Sequence, residues 1–343
     1  MSVTLKDVAR EAGFNLSTVS RSLSGSYGVH QQTRKRVLEV AERLHYQPNR
    51  IARGLVTGRS HTLGVIVSDV RNPFFAEIAR GAEDAARAHG CDLVLCNSDL
   101  DQAKQMRYIR SLAEKRVDGI LMNSVAALRK AQQEALTAFG VPIVLLNRAA
   151  GAHAFSTVCA DNYLGGQLAG SYLKAKGHAR IAHLTGPRGH GNLTDRARGF
   201  LNAVPDAVVL YGFHTFQGGC ELAGKLLEQH PQVTAVFAAN DVMAFGVMRA
   251  AAERGLRVPQ DLSVMGFDNI EFSGIAHPPL TTVHQPKYEI GAAAVEILIR
   301  LAEKRAGSVP EQRVFGVELI ERESVQDCKT ERRELFQAAG FAL

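Results

Sequence analysis

From residue 61 onward the chain repeats one pattern, a short run of β-branched and other apolar residues followed by a longer segment with helical apolar spacing. The runs are LGVIVS, DLVLCN, GILMNS, IVLLN, RIAHLTG, AVVLYGF, AVFAAN and LSVMGF. Such alternation is the mark of a parallel α/β architecture. The series opens with HTLGVIVSD at residue 61 and opens afresh 117 residues later with HARIAHLTG at residue 178. Two similar lobes are therefore expected, with a cleft at the carboxyl ends of their strands, where ligands of open α/β sheets collect.

A different pattern precedes them. Leu5, Val8, Ala9 and Ala12 fall on one helical face, and Gly13 can end that helix with a positive φ. The next stretch, LSTVSRSL, offers Val19 and Leu23 to a core, while Ser17, Thr18, Ser20 and Arg21 point elsewhere. A third stretch supplies Val37, Val40, Ala41 and Leu44, enough to close a three-helix core. Two short helices joined at a glycine, the second rich in hydroxyls, suit a helix-turn-helix or an ordinary helical hairpin. Charge decides between them. Residues 1–60 hold ten Lys or Arg against four acids, a net of +6, whereas the remaining 30 basic and 30 acidic residues cancel. All the excess charge lies in this segment, which favours phosphate binding.

TLKDVAREAG, STVSRSL and RVLEVAERLHYQPNRIARGL closely resemble the headpiece of the lactose/galactose repressor (LacI/GalR) family of bacterial transcription regulators. The resemblance continues through GVIVSDVRNPFFAEIARGAEDAARAHG, VDGILM, VPIVLLNR, DNYLGGQLAGSYLKAKGHARIAHLTGP, FAANDVMAFGVMRAAAERGLRVPQDLSVMGFDN and PPLTTVHQP. It spans nearly the whole chain except its last fifteen or so residues. It implies an all-α helix-turn-helix headpiece plus an α/β two-lobed, periplasmic-binding-protein-like (type I) core. The expected boundaries are 1–47 for the DNA-binding domain, 48–60 for a hinge helix or linker, 61–328 for the core and 329–343 for a tail. The first lobe would take about 61–160 plus part of the C-terminal region, the second about 161–283, with TTVHQP at 281–286 a late crossing.

On the DNA side, Leu16, Ser17 and Arg21 are the base-reading candidates, while Thr18 and Ser20 suit phosphates. Asn15 and His30 stand where the family often has serine; Asn15 suits a cap, and His30 is expected to reach a phosphate. In the family a hinge helix enters the minor groove with a leucine that corresponds to Leu55, and Asn49 and Arg50 precede it as further contacts. One recognition helix covers only a few base pairs, so a homodimer on a near-palindromic double-stranded operator is expected.

On the ligand side, polar residues stand just after apolar strands: Asn147 and Arg148, Asn240 and Asp241, Asp268 and Asn269. The family pattern implies that Asn147, Arg196, Asn240 and Asp268 hydrogen-bond the effector, a small molecule such as a sugar, sugar acid or related compound. Asp241 is expected to cap the helix after it. Phe74, Phe75 and Phe216 are candidates to stack on an apolar ligand face. Arg148, Arg188 and Arg196 would equally receive an acid group. Between RARGF and VVLYGFHTF only LNAVPDA remains, shorter than the family usually shows, so a truncated helix is expected there.

Rival classes fare worse. Gly219, Gly224 and Lys225 have phosphate-loop spacing, but Leu226 stands where Ser or Thr would hold magnesium, and helical periodicity runs straight through. No catalytic signature appears, so no enzyme is expected. Five cysteines and twelve histidines show no ligand spacing, so neither metal nor cofactor is assigned. Cys91 and Cys96 fall on opposite faces of one strand. No apolar run is long enough to span a bilayer and no signal-peptide segment opens the chain, so a cytoplasmic protein is expected. A non-regulatory sugar-binding protein of the periplasmic type is the alternative, disfavoured by the charged headpiece.

Overall fold

The structure, a computed structural model, describes residues 3–25, 27–47, 58–123, 130–147, 154–189, 191–304 and 309–328. They fall into two compact units, 1–60 and 61–343. The expected contacts at Asn49, Arg50, Leu55 and Arg148, and the tail from 329, lie outside the described residues.

In the first unit α1 is Leu5–Ala12, α2 Leu16–Leu23 and α3 Gln31–Arg43. The Asp7 carboxylate accepts hydrogen bonds from the Thr4 backbone N–H at 3.0 Å and the Thr4 hydroxyl at 2.6 Å, which fixes the start of α1. Its end comes at Gly13, whose φ of 75° would strain any side chain and whose N–H donates to the Ala9 carbonyl. Asn15 Oδ1 accepts from the Thr18 N–H at 2.8 Å and starts α2. Val8, Ala12, Val19, Val37, Val40 and Ala41 close the core as their spacing predicts. Ser22 is buried beside them, its hydroxyl donating to the Thr18 carbonyl.

The second unit holds two parallel sheets. The first has the order β11-β5-β4-β3-β1-β2, built from β1 (Thr62–Val67), β2 (Asp92–Asn97), β3 (Gly119–Asn123), β4 (Ile143–Leu146), β5 (Ser156–Ala160) and β11 (Gln312–Phe315). Leu63, Val65 and Val67 pack on the side of α4 (Pro73–Ala88) and α12 (Lys287–Lys304). Ile66 packs on the other, with α5 (Gln102–Glu114) and α6 (Lys130–Ala138). Cys91 and Cys96, both buried, belong to opposite sides of this sheet, as expected.

The second sheet has the order β7-β6-β8-β9, from β6 (Ile181–Thr185), β7 (Val208–Tyr211), β8 (Ala235–Ala238) and β9 (Ser263–Met265). The helices α7 (Asn162–Ala175) and α8 (Gly191–Ala203) cover one face, α9 (Phe216–Gln229) and α10 (Asp241–Glu253) the other. A short α11 (Glu271–Ile275) follows β9, and β10 (Thr282–His284) pairs antiparallel with β12 (Glu318–Ile320).

The chain passes between lobes after β5, again through β10 into α12, and a third time through β12. β10 falls within residues 281–286, where the late crossing is expected. The helix α8, where a truncation is expected, runs 13 residues, and residues 204–207 connect it to β7. Gly219, Gly224 and Lys225 lie within α9, a helix and not a phosphate loop.

Candidate functional site

Two adjoining hollows open between the lobes. The inner one, of about 50 Å³, takes Ser68, Asn72, Phe74, Phe75, Asn123 and Asn147 from the first lobe. From the second lobe come Arg196, His214, Asn240 and Asp268, with Gln285 from the crossing. The outer one, of about 380 Å³, is bounded by Phe75 and Phe216, by Thr215 and Gln217, and by Asp69 and Arg71. Of the residues singled out from the sequence, Phe74, Asn147, Arg196, Asn240 and Asp268 converge on the inner hollow, and Phe216 joins the outer.

On the first-lobe wall a relay of amides fixes orientation. Asn147 Nδ2 donates to Asn123 Oδ1 at 3.2 Å, and Asn123 Nδ2 donates to the Ser68 hydroxyl at 2.6 Å. Gln105 anchors the relay by donating to the Asn123 carbonyl at 2.7 Å. Asn147 Oδ1 is left buried without a partner, an acceptor that a ligand hydroxyl would satisfy. Its backbone, at φ 55°, is left-handed, a conformation asparagine tolerates better than most.

The second-lobe wall is built around Arg196, on α8. Its guanidinium donates to Asn162 Oδ1 at 2.7 Å and to the Ala239 carbonyl, and lies over the Phe267 ring; Nε is buried and unpartnered. Burial lowers its pKa to about 10, against the opposing pull of Asp268 and then Asp241, so it stays a cation at neutral pH. The helix reaches this depth because α7 meets α8 through glycine. A Cβ on Gly166 would lie 1.9 Å from the Arg196 carbonyl oxygen, which no rearrangement of side chains relieves.

Asp268 is buried at φ 119° and accepts from Gln285 Nε2 at 2.6 Å. Burial raises its pKa, with Arg196 pulling the other way. Asn240 is buried too; its Oδ1 accepts from the Met243 N–H at 2.8 Å and its Nδ2 donates to the His214 carbonyl at 3.0 Å. Asn240 is thus the cap of α10, not Asp241 as expected. Asp241 lies inside, accepting from the Ile270 N–H at 2.9 Å and the Ser273 hydroxyl at 2.7 Å, and from Thr282 as well. A neighbouring asparagine already satisfies one orphan N–H of this helix, that of Met243, which frees the carboxylate to turn inward.

Other expectations need correcting. Arg188 is exposed and stacks over Tyr211, 4.0 Å from its ring centre, outside both hollows. Asn269 turns away to accept from Arg322 at 2.7 Å. Sequence reasoning also missed Ser68, Asn72, Asn123, His214 and Gln285. Ser68 and Asn123 end apolar strands, so the rule that found Asn147 extends to them. His214 and Gln285 carry no such signal.

In the headpiece, Leu16, Ser17, Ser20 and Arg21 are exposed and Thr18 is half-buried. Ser17 donates to Asn15 Oδ1 at 2.8 Å, and Arg21 Nε to the Ser17 carbonyl at 3.3 Å. His30 caps α3, its Nδ1 accepting from the Gln32 N–H at 3.4 Å.

A helix-turn-helix unit that carries all the net positive charge, on one chain with a two-lobed α/β receptor, defines a class: DNA-binding regulators with a ligand-receiving core. Residues 4–49 match the bacterial regulatory proteins of the lacI family, and residues 60–322 the periplasmic binding proteins and sugar binding domain of LacI family. The chain belongs to the LacI family. It is 38% identical over 315 residues to catabolite control protein A of Priestia megaterium, covering 89% of this chain and 94% of that protein. It is 36% identical over 307 residues to the ribose operon repressor of Halalkalibacterium halodurans, covering 88% and 91%. Among solved structures, the lac repressor dimer bound to operator and the anti-inducer ONPF superposes with a TM-score of 0.84 at 29% identity, over 95% of this chain and 100% of that one. The protein is a DNA-binding transcription regulator and not an enzyme. Among the described residues no helix is long and apolar enough to cross a membrane.

Proposed function

We propose that the protein is a cytoplasmic repressor that binds a near-palindromic operator as a homodimer and is controlled by a sugar or sugar derivative held between its lobes. The observation that carries this reading is the pairing, across one cleft, of a buried unpartnered acceptor on Asn147 with a buried unpartnered donor on Arg196. A hydroxyl both donates and accepts, so a polyol satisfies the two walls together. The relatives' names point the same way, since one is a ribose operon repressor. Phe74, Asn240, Asp268 and Gln285 would complete the inner wall, with Phe75 and Phe216 flanking an apolar ligand face and Arg148 a further contact. On the DNA, Leu16, Ser17 and Arg21 would read bases, Thr18, Ser20 and His30 would meet phosphates, and Asn49, Arg50 and Leu55 would engage the hinge region's groove.

Effector control requires different affinities for two lobe arrangements, one of which suits operator binding. The experiment begins by selecting duplexes from a random library with the full-length protein, where a homodimer returns two-fold related half-sites. Thermal stabilisation by sugars, sugar acids and nucleosides, starting with D-ribose, then identifies ligands. Fluorescence anisotropy on the selected duplex should shift at least tenfold with the stabilising compound. A ligand that stabilises the protein and leaves duplex affinity unchanged would overturn the reading.

A further inference from the structure

Lys287 is 1% exposed, yet it lies on the polar first turn of α12. Its ammonium donates to the Asp268 carbonyl at 2.7 Å and to the Asn269 carbonyl at 2.9 Å, and the Gln285 carbonyl lies at 3.5 Å. Glu77 Oε2 on α4 is 3.5 Å away and supplies the counter-charge. Burying an ammonium is costly unless its donors are used, and here they converge on one backbone turn.

That turn is unusual. Asp268 and Asn269 are consecutive non-glycine residues with positive φ, 119° and 52°. A side chain at such angles crowds its own backbone, so the conformation persists only where the surroundings hold it. The turn belongs to the second lobe, at the end of β9, and it aims the Asp268 carboxylate into the cleft. Lys287 belongs to α12, which packs on the first sheet with α4. One ammonium therefore fastens a strained turn of one lobe to a helix of the other.

We infer that Lys287 is a positioning residue for the effector site: it holds the Asp268–Asn269 turn in its left-handed conformation and ties the carboxylate of one lobe to the helices of the other. Its role in effector binding rests on the reading of the cleft given above, but its hold on the turn does not. Movement of Asp268 on ligand binding would pull on α12 through the Lys287 side chain alone.

The test uses the full-length protein as wild type, Lys287→Met and Lys287→Arg. Met keeps the length and removes the donors; Arg keeps charge and donors. Hydrogen exchange is read without ligand at the Asn269 and Ile270 amides, which share peptide units with the two carbonyls that Lys287 binds. Their acceptors are Thr282 Oγ1 at 3.3 Å and Asp241 Oδ2 at 2.9 Å. Lys287→Met should speed exchange at these two amides at least tenfold while the β6 amides stay within twofold, and Lys287→Arg should restore protection to within threefold. Lys287→Gln, shorter and neutral, gives the same comparison should the Met variant not fold. D-ribose affinity, read by calorimetry, should fall at least tenfold in Lys287→Met and recover in Lys287→Arg. Unchanged exchange at both amides, or equal acceleration throughout the second lobe, overturns the inference. If the wild type ignores D-ribose, ribose is excluded as the effector and the exchange result still decides the role of Lys287.

Discussion

The guanidinium carbon of Arg196 lies 3.4 Å from the centre of the Phe267 ring, so the charge is stacked flat on an aromatic face while its edge meets Asn162 and Ala239. Planarity matters to this arrangement as much as charge. Arg196→Lys keeps the cation and loses the stack. Both Arg196→Lys and Arg196→Ala should abolish the effector's influence on DNA while leaving effector-free operator affinity within about twofold, because the reader folds as its own unit. Anisotropy titrations with and without sugar check this. Urea denaturation should also show the Ala variant destabilised by about 1–3 kcal/mol, the usual cost of leaving buried acceptors, here on Asn162 and Ala239, unsatisfied. A wild-type effector response in either variant would sink the assignment of Arg196.

Asn123 decides which end of the Asn147 amide faces the ligand. With its Oδ1 already engaged by Asn147 Nδ2, the free end of Asn147 is an acceptor. Asn123→Ala releases that amide to rotate, and sugar affinity should fall about tenfold, the worth of one oriented hydrogen bond. Calorimetry against Ser68→Ala, which loosens the same relay one step further out, should give a smaller loss. An unchanged Kd in Asn123→Ala would mean the amide needs no such guide.

His183 predicts a pH effect with a definite sign. It is fully buried in a cluster with Phe200 and Phe237, its Nδ1–H donates to the Phe237 carbonyl at 3.0 Å, and burial pushes its pKa down to about 4. The unfolded chain binds that proton near pH 6.5, the folded one not until about pH 4, so stability is complete above 6.5 and lost as pH falls between them. The loss from this one group should reach about 2 kcal/mol at pH 5. His183→Phe should lack it. Comparing urea midpoints of the two proteins at pH 7.5 and pH 5 isolates the difference, and parallel curves would refute the linkage.

Gly166 tests how α8 is positioned. Its missing side chain admits the Arg196 carbonyl oxygen, and Gly199 in turn admits that of Tyr163, so the two helices touch backbone to backbone. Gly166→Ala must push α8 outward and carry Arg196 with it. We expect destabilisation of about 1–3 kcal/mol, typical of overpacking, together with loss of sugar binding in molecules that remain folded. Retained sugar affinity in the folded fraction would show that the cleft tolerates the shift.

On the DNA, Arg21→Ala should cost about 1–3 kcal/mol at one base pair of each half-site and relax preference there. Equal weakening on every sequence would reassign Arg21 to phosphate. Leu55→Ala should lower specific affinity and spare the salt-dependent binding to unrelated duplex, which a salt titration of both complexes distinguishes.

How far the sequence reaches is clearest at the strands. The eight apolar runs correspond to β1–β4 and β6–β9; the inner strands among them are buried on both faces and so read as near-continuous apolar runs, whereas β2 and β7, at the sheet edges, are largely exposed or half-buried. β5 escapes that rule. Its Ser156 and Thr157 are buried, Ser156 accepting from the Glu311 N–H at 3.0 Å and Thr157 N–H donating to the Glu311 carbonyl, partners 155 and 154 residues away that no local pattern reveals. Gln285 and Lys287 are hidden for a different reason: they lie only 17 and 19 residues from Asp268, but their roles arise only when the crossing brings them beside it. Asn147 and Asp268 were legible because a polar residue after an apolar strand has few other reasons to be there.

The pairing of β11 with β5 also imposes a timetable. The first sheet is completed by residues 312–315, and α12, which covers one of its faces, ends only at Lys304. The strands of the second sheet all lie between residues 181 and 265. A growing chain thus holds every strand of the second sheet while the first, begun earlier, still presents β5 as an open edge and lacks α12 on one face, the kind of surface that invites mispairing. Nascent chains halted at about residue 290 should therefore resist protease at the second sheet and be cut at the first, so the sheet begun first is the sheet finished last.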